Sequence, residues 1–373
     1  MRIVLQISRV LVGILFIFSG LVKANDPSGL SYKMQEFFEV WGWHAFNDHT
    51  LLFSILMITF EIIAGAALLI GWQFSLFSWL LLALTIFFTW LTGYAVLSGK
   101  IRACGCFGDC IPLTAEQSFI KDIILTALIL LLVKKRRDIH PLYAQSRSVG
   151  ILVVVTMLTL ALQFYVLRYL PIVDCLPFKK GNNIPEKMKI PVGAIPDSTV
   201  ITFVYDLSGK QVEFDADHFP VDFNDSTYKF IKRYDKVVRI GNATPPIKDF
   251  VIQTMSGVDT TEAILQQQGQ TIIVFSRAME ADTRYWTWEA GLRKVRSMCK
   301  ARNIPFLWIS SDAGTLAGQL ARLKWNDVVV LQGDDVAIKT AARTNPTIYL
   351  LNMGTISGKW SYAETNKVLD AID

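Results

Sequence analysis

Three cysteines fall in one short string, Cys104-Gly105-Cys106-Phe107-Gly108-Asp109-Cys110, with Lys100 and Arg102 just ahead of it. Cys175 follows further along, and Cys299 stands alone. A thiolate is the nucleophile of disulfide exchange, and nearby cations favour it. A bond within Cys104-x-Cys106 would close a very small ring and be easily reduced. Cys106 and Cys110 are four apart and could meet on one helical turn. Gly105 and Gly108 allow the backbone to turn sharply around the sulfurs. Three chemistries fit: a redox-active dithiol, static disulfides that staple the loop and tie Cys175 to it, or a metal site completed by His44 or His49. Cys299 lies beside Met298 in an amphipathic segment and reads as a buried structural residue.

The elements that must carry these residues are mostly apolar. Of 373 residues, 52% are hydrophobic and 18% charged, and the mean hydropathy is +0.36. Soluble domains run about 45–50% apolar and about 25% charged, so disorder, a coiled coil and a single ordinary soluble domain are excluded. The apolar runs are Ile3–Val22, Leu51–Ile70, Phe74–Leu97, Phe119–Val133 and Val149–Leu170. A bilayer core needs about 20 helical residues, and the short fourth run can extend back toward Leu113. The first run exceeds the roughly 7–15 residues of a signal-peptide core and reads as an uncleaved span.

Charge sets the expected orientation. The segment Lys134–Ser148 holds Lys134, Lys135, Arg136, Arg137 and Arg147 against Asp138, a net +4. The loop Ala24–Thr50 holds Lys33 against Asp26, Glu36, Glu39 and Asp48. Basic loops stay cytoplasmic, so five spans put the N-terminus inside a bacterial inner membrane and the C-terminal half in the periplasm. Cys104, Cys106, Cys110 and Cys175 then gather at one oxidising face, which favours disulfides over metal. The net charge of +5 becomes a topology signal and excludes nucleic acid as a partner. The expected partners are membrane lipids and a periplasmic thiol or disulfide protein.

Ionisable residues inside spans are costly and are usually paired. Counting helical rise from the cytoplasmic ends puts Arg9 about 9 Å deep and Glu61 about 13 Å deep, which predicts an Arg9–Glu61 ion pair. Lys23, at the other end of its span, is expected to snorkel to the interface. Gly13, Gly65, Ala66 and Gly71 permit close helix approach, and Trp41, Trp43, Trp72 and Trp90 suit interfacial belts.

From Pro171 onward the composition shifts to short apolar runs separated by Gly, Pro, Asn and Asp. Asp174–Asp197 reads as a linker. Val200–Tyr205 and Gln211–Phe214 form a hairpin around Ser208-Gly209. Thr271–Phe275, Pro305–Ser310 and Asp327–Leu331 read as strands, and Thr283–Arg302 as a helix. Thr347–Leu351 and Ile356–Trp360 form a second hairpin, followed by a helix over Ala363–Ile372. Ile247-Lys248-Asp249-Phe250-Val251 with Ser256-Gly257, and Arg343-Thr344-Asn345-Pro346-Thr347, resemble TlpA/ResA-like thioredoxins over residues 240–373. The second string resembles the family's cis-proline loop. Where that family carries Cys-x-x-Cys, this chain reads Ser276-Arg277-Ala278-Met279-Glu280-Ala281-Asp282. The domain therefore lacks its own exchange motif, and Asn345 and Pro346 become candidates for binding an extended polypeptide.

The N-terminal part resembles the DoxX/MauE group of membrane proteins. Arg9, Gly13, Phe16, Phe18, Ser19-Gly20, Lys23, Asp26-Pro27, Gly29, Glu61, Gly65, Leu68-Leu69 and Gly71 carry the resemblance, with Cys104-Gly105-Cys106-Phe107-Gly108 its most specific string. It implies a four-helix membrane bundle over residues 1–135, with a role in thiol–disulfide or quinone-linked electron transfer. The expected architecture is that α-helical bundle, a basic loop and fifth span at 136–170, a linker and hairpin region at 171–239, and an α/β thioredoxin-like domain at 240–373. Cys104, Cys106 and Cys110 are the expected exchange residues, with Cys175 as a resolving or stapling partner and electrons passing to or from a quinone. The competing reading is a membrane-anchored scaffold or assembly factor with structural cysteines.

Overall fold

The computed structural model describes residues 2–98, 105, 107–196, 198–215, 218–224, 226–239, 241, 243–277 and 286–373. The described residues form two compact units, one of residues 1–181 with 251–373, the other of residues 182–250.

The first unit begins with six helices: α1 (Arg2–Ala24), α2 (Pro27–Trp41), α3 (Thr50–Ile70), α4 (Phe74–Ser98), α5 (Ala115–Lys134) and α6 (Gln145–Tyr169). Four segments, Ile3–Ala24, His44–Ile70, Phe74–Ser98 and Gln145–Tyr169, are long and apolar enough to cross a membrane. α5 has 20 residues but carries Glu116, Lys121, Asp122 and Lys134, and is not among those four. Its N-terminus is fixed by a capping box in which Thr114 and Gln117 exchange side-chain and backbone bonds.

Gly13 and Gly65 sit at the α1–α3 crossing. A Cβ on Gly65 would lie 2.8 Å from the Gly13 carbonyl, and one on Gly13 would lie 2.6 Å from Leu69. The small residues bring the two backbones together as expected. At one end of the bundle the α3–α4 turn meets the α5–α6 connection, where the Leu142 amide donates to the Ile70 carbonyl at 2.9 Å. At the other end the Asn25 side chain exchanges two bonds with Val173, just beyond α6.

Residues 27–41, expected within a loop, form α2. The signals were local. Asp26 caps the helix by accepting from the Gly29 amide at 3.0 Å, Pro27 opens it, and Gly42 closes it in the left-handed conformation.

The chain resumes in this unit with β4 (Ile252–Gln253), α8 (Thr261–Leu265), β5 (Gln270–Ser276), α9 (Trp286–Ala301), β6 (Phe306–Ser310), α10 (Ala313–Arg322), β7 (Val329–Gly333), α11 (Asp335–Ala341), β8 (Thr347–Asn352), β9 (Thr355–Ser361) and α12 (Thr365–Ile372), where these numbers leave α7 and β1–β3 to the second unit. The sheet order is β4-β7-β6-β5-β8-β9. β5, β6 and β7 are mutually parallel, and β8 and β9 run antiparallel to their neighbours. Ile272–Phe275 are wholly buried, as a strand central to a covered sheet requires. Leu292, Val295 and Cys299 of α9 pack with Val368 and Ile372 of α12 on this sheet. Cys299 is fully buried, and burial pushes its thiol up to about 11.

The second unit holds α7 (Ile184–Lys187), β1 (Ser198–Leu207), β2 (Lys210–Asp215) and β3 (Tyr228–Arg239) in an antiparallel sheet of order β2-β1-β3. Leu207 pairs with Lys210 across a two-residue turn in which Ser208 and Gly209 both have positive φ. The expected hairpin is present, and β3 joins it as a third strand. Tyr205, Phe214, Phe219, Phe223 and Tyr228 form an aromatic cluster on it. The compact unit therefore ends at residue 250, rather than at 239.

Candidate functional site

The site is built at the end of the bundle where α1 gives way to α2 and α4 connects to α5. Cys110, at the end of that connection, is disulfide-bonded to Cys175, which follows α6. A bond between Cys110 and Cys106 on one helical turn is thus not formed. Cys104 and Cys106, and the neighbouring Lys100 and Arg102, lie outside the described residues.

Each disulfide cysteine is preceded by an aspartate, and each aspartate is held by a base from the α/β part. Arg343 donates from Nε to Asp26 at 2.7 Å and from Nη2 to Asp109 at 2.8 Å, while Nη1 bonds the Lys339 carbonyl at 2.7 Å. Lys359 of β9 donates to Asp174 at 2.6 Å. The Arg343 and Lys359 side chains are each 5% exposed, while Asp26 and Asp174 are partly buried and Asp109 is exposed, so each base is buried and its carboxylates lie nearer solvent. Burial raises the Asp26 carboxyl above the usual carboxylate range, with Arg343 opposing it and Asp109 adding to it. Burial works against the Arg343 charge, but the two carboxylates outweigh it and hold the guanidinium up. Burial pulls the Lys359 ammonium down against the pull of Asp174. The guanidinium of Arg343 also lies 5.3 Å from the ring centre of Tyr32 on α2.

The Asn345–Pro346 peptide bond is cis. Asn345 Oδ1 accepts from the Arg277 amide at 3.1 Å. The Thr344 amide donates to Thr347 Oγ1 at 3.2 Å, and Thr347 Oγ1 donates to the Thr344 carbonyl at 2.7 Å. Thr344 and Pro346 are buried. Through Arg343 this loop contacts the chain's own Asp26 and Asp109 and holds the α/β part against the bundle, and Asn345 beside it is half-buried.

The expected Arg9–Glu61 pair is not formed. Lys23 takes Glu61 instead, donating to both carboxylate oxygens at 2.6 and 2.7 Å, and both side chains are buried. Arg9 donates to the Leu68 carbonyl at 2.9 Å and to that of Leu69. The ends of α1 and α3 are not level. Arg9 is level with Leu68 near the end of α3, while Gly20 is level with Ile62. Glu61 therefore lies about 11 residues, or about 16 Å, beyond Arg9 along α1. Lys23, expected to snorkel outward, points back toward the helix N-terminus, the direction in which helical side chains lean. A second pair, Lys121–Asp122 at 2.5 Å, lines the same small cavity of about 40 Å³, with Ser19, Thr85 and Phe107. Lys23 sits 5.4 Å from the Phe88 ring centre and Lys121 sits 5.3 Å from that of Phe107.

Lys23 also lines an apolar pocket of about 200 Å³. Phe38, Trp41, Phe53, Phe87 and Phe88 wall it, and Gly105 borders it. The tryptophans read as interfacial belts include Trp41 here, which packs on Trp43 and Trp90. Sequence reasoning missed Asp109, Asp174, Arg277 and Lys359 as site residues; each lacks a motif of its own and acquires a partner only through the tertiary fold. Among the described residues no cluster of His, Cys, Asp and Glu could hold a metal ion.

Residues 1–135 match the family model of methylamine utilisation protein MauE. Residues 199–239 match a domain of unknown function, DUF8463. No curated protein and no solved structure matches the chain significantly. The N-terminal part is a MauE-like membrane domain of apolar helices.

Proposed function

We propose that this protein is a membrane thiol–disulfide exchange protein, with its exchange centre at the Cys110–Cys175 end of the bundle and Cys104 and Cys106 as the companion dithiol. The observation that carries the reading is the disulfide itself, bordered by Asp109 and Asp174, with the Gly105-bordered aromatic pocket at the same end. A thiolate from a partner attacks one sulfur of the Cys110–Cys175 bond, forming a mixed disulfide and releasing the other sulfur as a thiolate. The partner's second thiol then resolves the mixed bond. The partner dithiol is oxidised, and the two cysteines are left reduced with the two protons the partner gave up.

The aromatic pocket fits a quinone: its walls suit a flat apolar ring, and the Lys23 ammonium at its edge suits a carbonyl acceptor. A bound quinone would supply a two-electron, two-proton acceptor in the bilayer. The alternation of the bundle ends supports α5 as a fifth crossing, with its Lys121–Asp122 pair satisfied internally. Together with the basic Lys134–Ser148 segment, this favours a cytoplasmic N-terminus and a periplasmic α/β domain in a bacterial inner membrane. The strand order and the cis-proline support reading that domain as thioredoxin-like, and its role here would be to cover the exchange centre. The match of residues 1–135 to a family named for methylamine utilisation supports an accessory role.

The test is quinone reduction by the full-length protein in liposomes, driven by a protein dithiol and followed with a short-chain quinone. Turnover should be abolished by Cys110→Ser and by Cys175→Ser. Unchanged turnover in both variants would sink the exchange reading. A second reading, a scaffold with a structural disulfide, is favoured by the buried proline loop, and would leave assembly of its client intact without quinone chemistry.

A further inference from the structure

Tyr32, Asn47 and Arg277 are among the residues lining one cleft of about 690 Å³, and among the described residues Tyr32 Oη, Asn47 Oδ1 and Arg277 Nε are buried without a hydrogen-bond partner. Buried polar groups are almost always paired, and half of the unpaired buried side-chain atoms among the described residues belong to the lining of this one cleft. We propose that this cleft binds the phosphate-bearing head group of a membrane lipid, with its acyl chain along α3 and α6.

The charge accounting selects an anion. Arg343, also in the lining, is already paired with Asp26 and Asp109 and bonds the Lys339 carbonyl. Arg277 has no carboxylate partner among the described residues, and its guanidinium lies 5.8 Å from the Tyr32 ring centre. A guanidinium held over an aromatic ring presents its N–H fork to phosphate oxygens. Tyr32 Oη can donate beside it. Asn47 Oδ1 can only accept, so the ligand must also bring a donor, as a glycerol or ethanolamine head group does. Asp48 is the lining carboxylate, and it is exposed, where water screens its charge.

The walls select a lipid over a soluble anion or a peptide. Leu51 and Ile55 of α3 and Phe164 and Leu167 of α6 line the cleft. Both helices belong to the membrane-crossing set, and Phe164 is 61% exposed. The cleft therefore has a polar floor and a side built from membrane-facing residues. The proposal is independent of the thiol chemistry, since no cysteine takes part.

Native mass spectrometry of the full-length protein tests it, with phosphatidylglycerol, phosphatidylethanolamine, a neutral diacylglycerol, free glycerol phosphate and an acidic peptide offered in turn. The wild type should retain one phospholipid and little diacylglycerol. Arg277→Gln should weaken retention about tenfold or more, the loss expected for a charged hydrogen bond. Tyr32→Phe should weaken it less, and Arg277→Lys should restore part of it, with the melting temperature of each variant close to wild type. Equal retention of diacylglycerol, tight binding of glycerol phosphate or the peptide instead of lipid, or unchanged retention in Arg277→Gln would each overturn the proposal.

Discussion

Lys23 and Glu61 satisfy one another inside the bundle, and removing one strands the other. Glu61→Gln should destabilise the protein by about 3–5 kcal/mol, whereas Lys23→Met with Glu61→Met should recover most of the loss. Thermal unfolding in detergent would check both. Arg9→Gln should leave Glu61 untouched, since Arg9 serves the carbonyls at the end of α3. Cys299 makes a pH prediction. Burial pushes its folded thiol from the ordinary 9.0 up to about 11, so the folded state holds the proton more tightly. That contribution is fully present below the ordinary value and is lost as pH rises through about 11. Cys299→Ala should flatten the loss of stability over that interval, and wild-type Cys299 should resist maleimide at pH 8 until the protein unfolds.

At the scale of elements, the α1–α3 crossing depends on two glycines. Gly65→Leu should cost about 1–3 kcal/mol by overpacking, visible as a lowered unfolding midpoint. The apolar runs made the spanning helices legible, because length and hydropathy are local properties. The closing hairpin was legible as two short apolar runs, Thr347–Leu351 and Ile356–Trp360. α2 was legible only through its caps, Asp26-Pro27 and Gly42, because its sequence mixes charge and aromatics without a clean apolar stripe. The Lys23–Glu61 pairing was not legible, since inter-helix register depends on where each helix begins relative to its neighbour.

For the whole molecule, the α/β part is held to the bundle end by the Arg343 and Lys359 ion clusters, while the disulfide ties the α4–α5 connection to the segment after α6. Arg343 was visible in sequence beside the proline, yet its partners lie more than two hundred residues away, which no local pattern reveals. Arg343→Ala should loosen the α/β part and raise hydrogen exchange in β8 and β9, with Lys359→Ala adding to the effect. Spacing grouped the cysteines, but the Cys110–Cys175 pairing needed the fold that brings the end of α6 beside the α4–α5 connection. The central claim, that this disulfide exchanges electrons, is tested most directly by counting alkylated cysteines by mass in membranes held first with excess dithiol and then with excess quinone. Cys110 and Cys175 should be labelled in the first state and protected in the second, with Cys299 silent in both. A Cys110–Cys175 bond that stays closed throughout would contradict the account.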